Sequence, residues 1–456
     1  MSDLVIQHAE TKNIFKAYDI RGIYGTELNE DLAYKIGRAV VRFTDAKKIL
    51  IGRDMRVSSV SLRDALVRGI LEQGADCVDI GLCSTPLFYW ATQKFEAGVM
   101  VTASHNPSKY NGFKICKDGA RPVGKESGMD EIKALVFRKY FSLIKRQGIG
   151  SKESVLDAYL KFNLGFLKTA RPFKIVVDAG NGMGGYTYAR LMELLPKTIQ
   201  MIPLFFELDG TFPNHEANPL KIETLKQLQA KVLSEKADMG VALDGDGDRI
   251  AFVDNEGKYL PSDITTALIA QQVLSEHPGA AILYDIRQSR VTPETITEAG
   301  GKAVMTRVGH AFIIEAMREH KGAFGGELSG HFYNAEVQNC EDTQMLLFRM
   351  LNLLSSKNLT LAELARPLKK RYAKIPETNF SVSDAAGAIM RLEQEYAPKA
   401  VTVSRLDGVR IDFKDWWFNV RASNTEPLLR LNLEADTPGL LEIKLDKLKK
   451  KINSFP

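Results

Sequence analysis

One unit recurs three times along this chain: a buried apolar strand, a polar or glycine-rich turn, a helix, and a second strand introduced by small residues. The first copy begins at KKILIGRD and returns, after a helical stretch from Ser59 to Gln73, at GADCVDIG. A second begins at FKIVVDAGNG and returns near MIPLFF, and the third runs from AILYDIRQSR to GGKAVMTRVG. Short apolar runs alternating with longer amphipathic stretches are the pattern of βαβ units, in which helices cover a mixed, largely parallel sheet. Three related α/β domains are therefore expected, with chance similarity among α/β segments as the competing explanation. After Arg366 and Pro367 the pattern changes to alternating, hairpin-like strands (VTVSRLDGVRIDF, WWFNVRAS, LLRLNLEAD) and a closing basic amphipathic helix at LLEIKLDKLKKKI. This predicts a C-terminal α+β domain.

A chain of 456 residues accommodates that many domains, since a domain takes roughly 100 to 200 residues. The expected division is 1–148, 149–254, 255–366 and 367–456, with a long loop around GARPVGKESGMD and the first boundary near KRQGIGSKES. Lys and Arg total 61 against 56 Asp and Glu, a formal charge of +5 that makes no case for nucleic-acid binding. No apolar run is long enough for a membrane helix, and the start, MSDLVIQHAETKNIFK, lacks the layout of a signal peptide. A soluble, cytoplasmic protein is expected. The cysteines, Cys77, Cys83, Cys116 and Cys340, form no CxxC pair and read as core residues in a reducing compartment.

The most specific motif is Asp244, Gly245, Asp246, Gly247, Asp248, Arg249, which leaves the apolar strand MGVAL. Carboxylates at alternating positions can converge on one side of a turning backbone, and the glycines let it curl. The result is a hard, all-oxygen cation site. An EF-hand loop also begins DxDxD, but its sixth position needs glycine where Arg249 stands and its twelfth needs glutamate where Asn255 stands. A solvated acidic turn is disfavoured because such clustered carboxylates repel one another without a cation.

A second motif, Thr102-Ala103-Ser104-His105-Asn106-Pro107, follows the strand AGVMV, where α/β sheets place their ligands. It lacks the GxSxG elbow of a hydrolase nucleophile, and adjacent side chains such as Ser104 and His105 do not normally face each other. Taken alone, a turn-forming Ser and Asn is the better account. Third, Gly325-Gly326-Glu327-Leu328-Ser329-Gly330-His331 is a glycine-flanked loop able to read a vicinal diol. Fourth, Arg421 followed by Ser423, Asn424 and Thr425 ends the strand WWFNV and suits a phosphate dianion, or else a capped turn with a solvated arginine. The GxGxxG of Gly180, Gly182 and Gly185 follows the strand KIVVD, but the expected ribose-binding acid is matched only loosely by Glu207 or Asp209. It reads as a tight strand-to-helix turn. Together the four motifs specify phosphoryl transfer on a phosphorylated sugar.

At this point the chain resembles the α-D-phosphohexomutases, closest to the bacterial phosphomannomutase/phosphoglucomutase branch. The resemblance runs almost end to end and in order: FKAYDIRG, TASHNP with NGFK, DGDGDR, GGELSGH and RASNTEP. It implies four domains around a central cleft and reversible interconversion of hexose 1-phosphate and hexose 6-phosphate, of mannose and/or glucose. A phosphoserine and a reorienting hexose 1,6-bisphosphate would carry the reaction. By the resemblance, Ser104 is the phosphoserine and binds Mg²⁺ with Asp244, Asp246 and Asp248. Glu327, Ser329 and His331 would recognise the sugar, and Arg421, Ser423, Asn424 and Thr425 the non-reacting phosphate; Arg430 is a further expected substrate-binding residue. Tyr18, Arg21, His105, Lys114, Arg249 and His310 match further cleft positions, and Arg287 is expected to bind substrate. Lys114, Arg249 and His310 are candidates for handling the hydroxyl proton, with no choice among them. The implied assembly is a monomer or dimer.

Two departures bear on the substrate. Arg287 stands where some relatives carry a lysine facing the sugar, and the two are not interchangeable. Leu328 replaces a methionine common in the glucose/mannose branch; the glucosamine branch usually has glutamine there, so Thr102 and Leu328 together favour glucose or mannose. Three rivals stand beside this account: a phosphoglucosamine mutase of the same family, a phosphatase with Asp244 as nucleophile, and a non-catalytic sugar-phosphate sensor.

Overall fold

The computed structural model describes residues 14–138, 141, 146–169, 171–422 and 428–455. It comprises two compact units, 1–261 with 329–362, and 262–328 with 363–456. The expected third segment, 255–366, is thus shared between them: 255–261 and 329–362 fall in the first unit, 262–328 and 363–366 in the second.

In the first unit, Lys48–Arg53 is the centre of a mixed sheet, with Asp76–Leu82 and Ala97–Val101 parallel to it on either side. Tyr110–Lys117 runs antiparallel to Ala97–Val101 and carries Ile20–Ile23 on its far edge. The strands read as apolar runs because helices cover them. Two of those helices, Glu30–Thr44 and Ser59–Glu72, touch backbone to backbone at glycines. A Cβ on Gly37 would come within 2.3 Å of the Leu66 carbonyl, and one on Gly69 within 2.1 Å of that of Tyr34. Leu66, buried at this contact, would cost about 2–5 kcal/mol to truncate to alanine.

A second sheet in this unit has Phe173–Asp178 parallel to both Met239–Leu243 and Ile199–Leu204. It is extended by antiparallel Ile250–Asp254 and Tyr259–Leu260. The unit is completed by the antiparallel pair Phe332–Asn334 and Cys340–Glu341 and by the helix Thr343–Lys357, whose N-cap carboxylate, Asp342, also accepts from Asn163 at 3.1 Å.

In the second unit, Ala281–Asp285 lies between parallel Lys302–Thr306 and Phe324–Gly326. Its other sheet is antiparallel throughout: Leu428–Ala435 pairs with Trp416–Ala422, which pairs with Val409–Asp412 and so on to Thr402–Ser404. The helices Ala385–Tyr396 and Pro438–Asn453 cover it through a core that includes Phe418, Leu431, Leu448 and Ile452. The strand–helix–strand returns expected at all three repeats are present, each pair parallel. The stretch GARPVGKESGMD is more ordered than the expected loop: Arg121–Pro122 pairs back onto Cys116 and Lys117, and a helix starts at Met129. All four cysteines are buried thiols outside any disulfide, and burial pushes the Cys77 thiol up to about 12. No helix among the described residues is long and apolar enough to cross a membrane.

Candidate active site

In the first unit, strands end where the chemistry-bearing segments begin. Ala97–Val101 delivers Thr102 to Asn106, Met239–Leu243 delivers Asp244 to Arg249, and Lys48–Arg53 delivers Asp54 to Arg56. Carboxyl ends of parallel strands are the usual place for ligands in α/β sheets, because connections splay apart there.

Ser104 has a left-handed backbone, φ +51°, uncommon outside glycine. Its amide donates to Thr102 Oγ1 at 2.9 Å, and its Oγ donates to Asp244 Oδ2 at 2.8 Å. That conformation also brings Ser104 Oγ to 3.2 Å from His105 Nδ1. The sequence argument that neighbouring side chains do not face each other fails here, because it assumes an extended or helical backbone. Burial, followed by the Arg249 and Arg21 charges, holds His105 well below the usual histidine range.

The acidic loop curls as its glycines predict. Gly247 has φ +75°, and a Cβ on Gly245 would lie 2.5 Å from the Ser104 carbonyl, so the two segments approach this closely only with glycine there. Asp244 Oδ1 accepts the amides of Asp248 and Arg249, each at 3.1 Å. Asp246 Oδ2 accepts from Thr85 Oγ1 at 2.6 Å and faces the Lys114 ammonium at 3.0 Å. Lys114 also bonds Asp248, whose other oxygen lies 3.3 Å from His331 Nε2. Burial, then the Asp248 and Asp246 charges, pushes Asp244 up to about 8. Burial acts in the same direction on Asp248, but the Lys114 ammonium opposes it, and that carboxyl is held well below the usual range. Lys114 is the reverse case: burial pulls it down, and Asp246 with Asp248 raises it above an ordinary lysine.

Asp244, Asp246 and Asp248 are buried and can each bring an oxygen within 4.8 Å of the others. Asp246 Oδ1, fully buried, makes no hydrogen bond. An all-oxygen set with an orphaned carboxylate oxygen fits a hard divalent cation. A second grouping, Asp248, His331 and Glu341, shares one of these acids. Beneath the loop lies the glycine turn: Gly180 has φ +51°, and the Met183 amide at the next helix's start donates to the Gly245 carbonyl at 2.9 Å. The GxGxxG segment thus supports the acidic loop as a tight strand-to-helix turn.

Of the other expected residues in this unit, Arg21 donates to Asn106 Oδ1 at 2.6 Å and pairs with Asp19 at 2.6 Å. Tyr18, half-buried, lies three residues earlier in the bend. Arg249 Nε bonds His331 Nε2 at 3.2 Å, and Ser329 Oγ lies 3.0 Å from His331 Nδ1. Ser329 and His331 therefore adjoin the acidic loop through a backbone bridge between Arg249 and His331.

Glu327 belongs to the second unit, where its Oε1 accepts the Gly309 amide at 2.7 Å, one residue before His310 opens the helix His310–His320. Arg287 is buried with its fork on Asp285: Nε and Nη2 donate to the two carboxylate oxygens at 2.9 Å each. Its Nη1 lies 3.9 Å from Glu377. Arg421 and Arg430 sit directly opposite each other on antiparallel strands, where like charges repel. Glu377 relieves this, with one oxygen 3.5 Å from Arg421 and the other 3.5 Å from Arg430, and it also accepts from Asn432 at 3.0 Å. Burial pulls the Glu377 carboxyl up, yet Arg287, Arg421 and Arg430 hold it below the usual range. Ser423, Asn424 and Thr425 lie outside the described residues.

Sequence reasoning missed Arg56, Thr85, Asp285, Glu341 and Glu377. Arg56 and Asp285 had a usable signal, a charged residue at or just past the end of a parallel strand; Glu377 had none.

Known proteins match along the whole chain. Profiles described as phosphoglucomutase/phosphomannomutase alpha/beta/alpha domains I, II and III match residues 12–142, 155–257 and 261–372, and that of the family's C-terminal domain matches 377–446. A phosphomannomutase of Methanocaldococcus jannaschii is 40% identical over 446 residues, covering 96% of each chain. One of Escherichia coli is 38% identical over 446 residues, covering 95% of this chain and 98% of its own. The crystal structure of a Burkholderia thailandensis phosphoglucomutase/phosphomannomutase family protein superposes with a TM-score of 0.89 at 31% identity, covering 97% of each. Its three α/β segments and C-terminal sheet are those of this four-domain architecture, and the chain belongs to the phosphoglucomutase/phosphomannomutase family.

Proposed function

We propose that the protein interconverts hexose 1-phosphates and hexose 6-phosphates, of mannose and/or glucose, through a phosphoryl group carried on Ser104. The observation that carries this is the Ser104 Oγ, buried in a left-handed turn and 2.8 Å from a carboxylate of the three-aspartate loop. The family relatives, named phosphomannomutases, support mannose as a substrate. Thr102 and Leu328 favour glucose or mannose over glucosamine. The four segments matched by the family profiles are the proposed functional divisions, and four buried thiols outside any disulfide suit a cytoplasmic site.

In the reaction, the Ser104 O–P bond breaks as a free hydroxyl of the hexose phosphate bonds to phosphorus, and the proton that hydroxyl loses is balanced by the one the freed Ser104 oxygen takes up. A hexose 1,6-bisphosphate and a bare serine result; return of the other phosphate to Ser104 completes the cycle. Asp244, Asp246 and Asp248 would hold Mg²⁺ with a Ser104 oxygen, and the ion would draw charge from the transferring group. His105 Nδ1, 3.2 Å from Ser104 Oγ, is the atom placed to exchange a proton with the serine. Lys114, bonded to two carboxylates, serves as a fixed positive charge rather than a base. Arg421 and Arg430 hold the phosphate that is not reacting, and Glu327 reads sugar hydroxyls.

Both oxygens of Asp244 already accept hydrogen bonds, which disfavours it as the nucleophile of a phosphatase. Peptide mapping by mass spectrometry of protein treated with hexose 1,6-bisphosphate tests the assignment. A phosphoryl group on Ser104 is expected, and one trapped on Asp244 would sink the mutase. Turnover of mannose, glucose and glucosamine 1-phosphates, each primed with bisphosphate, then ranks the substrates.

A further inference from the structure

Arg56 is a buried cation in the first unit for which the phosphoryl-transfer chemistry gives no role. Its side chain is wholly inaccessible, and its guanidinium faces backbone. Nη2 donates to the carbonyls of Ser104 at 2.7 Å and Asn106 at 2.6 Å. Nη1 donates to those of Pro107 at 2.9 Å and Tyr110 at 3.0 Å. Nε faces Asp54 Oδ2 at 3.2 Å. A guanidinium has five N–H groups in a rigid fork. Four are spent on one loop and the fifth points toward Asp54, so none is left for a substrate.

The group is itself held from behind. Asp54 Oδ1 accepts the Arg56 amide at 3.0 Å and Ser59 Oγ at 2.5 Å. The Phe212 ring lies 5.1 Å from the guanidinium carbon, and a Cβ on Gly210 would come within 2.7 Å of Arg56 Cα. Asn111, just past the loop, donates to Ser58 Oγ at 2.8 Å and Ser59 Oγ at 3.0 Å, which ties the loop's far end to the same helix start.

Four carbonyls turned toward one point repel unless a cation satisfies them, and a serine at φ +51° relaxes unless its surroundings hold it. We propose that Arg56 is a positioning residue: by gathering the carbonyls of the segment from Ser104 to Tyr110 it holds Ser104 left-handed, with Oγ aimed at Asp244. This rests on Ser104 being the phosphoryl carrier. Lysine keeps the charge but offers three donors from a single point, so it cannot satisfy four carbonyls.

The test compares Arg56→Lys and Arg56→Gln with the native chain in steady-state kinetics and amide hydrogen exchange. In Arg56→Lys, kcat falls by about 10- to 100-fold, the scale of an ångström-sized misplacement, while KM stays within about twofold; Arg56→Gln falls further. Exchange at the amides from His105 to Tyr110 speeds up, while the strands Lys48–Arg53 and Asp76–Leu82 keep native protection. A folded Arg56→Lys with native kcat and native loop exchange would overturn the proposal. Uniform loss of protection across the unit would also overturn it, because Arg56 would then support the fold rather than the loop. If native Ser104 never accepts phosphate from bisphosphate, the mutase assignment fails by itself, and the exchange data still decide whether Arg56 holds the loop.

Discussion

Two charge clusters, one in each unit, are built on opposite plans. In the first, three carboxylates outnumber the cations among them: Asp244, Asp246 and Asp248, with Lys114 bonded to two of them and Arg249 3.9 Å from the third. In the second, three guanidinium groups meet at one carboxylate, Arg287, Arg421 and Arg430 at Glu377, with Arg287 also held by Asp285. Burying such groups is costly unless each finds a partner, so a surplus of one sign marks where a ligand of the other sign belongs. The acid-rich cluster suits a cation and the guanidinium-rich cluster suits a phosphate. They also differ in how the chain assembles them. One curled segment of six residues supplies all three aspartates, whereas the arginines and Glu377 arrive from four separate stretches.

The largest expected effect is on the serine that the acid-rich cluster addresses. Ser104→Ala should lower turnover by at least about a thousandfold, with sugar-phosphate binding by calorimetry largely kept; normal turnover would remove the first cluster's role altogether. Next, Asp246→Asn should weaken Mg²⁺ binding by about 10- to 100-fold, the range seen when metal-site partners are altered. This is read from calorimetric titration and from the Mg²⁺ dependence of rate, and an unchanged metal requirement breaks the acid half of the comparison. For Arg421→Ala, loss of a charge-assisted bond of about 1.5–3 kcal/mol should raise KM by roughly 10- to 100-fold with a smaller change in kcat. Equal affinity for both phosphate isomers before and after the change would break the other half.

Glu377→Gln sharpens the comparison with the smallest effect. Without the carboxylate, the opposed Arg421 and Arg430 lose their shared partner, and stability in phosphate-free buffer should fall by about 1–3 kcal/mol. Inorganic phosphate should raise the melting temperature more in this variant than in the native chain, because it binds the folded cluster without displacing a carboxylate. An equal phosphate response in the two would mean that Glu377 does not share the arginines with the ligand.

The acidic loop was legible because its ligands are neighbours in sequence and its glycines declare the curl. The serine motif was legible in place but not in geometry: nothing in TASHNP announces φ +51°, and that angle alone brings His105 onto Ser104. The loop GELSGH was legible as a motif but not in its packing: its glutamate accepts the Gly309 amide in the second unit, and its His331 bonds Arg249 in the first. A sequence pattern carries no information about which body each half of a loop packs with. Arg287 shows the same limit, since nothing in YDIRQSR announces that its fork closes on Asp285, two residues earlier.

From the sequence by itself came the three strand–helix–strand returns, the antiparallel C-terminal sheet, the family, and the acids that suit a divalent cation. These depend on local periodicity and on residues within one turn of each other, where covalent connection enforces the geometry. Only the tertiary structure decided that Arg56 underpins the serine loop across 48 to 54 residues of chain, that Thr85 and Lys114 reach the acidic loop, and that Glu377 lies among the arginines. Such contacts are made by side chains brought together when sheets and helices pack, and a partner chosen by packing leaves no mark in the order of the residues.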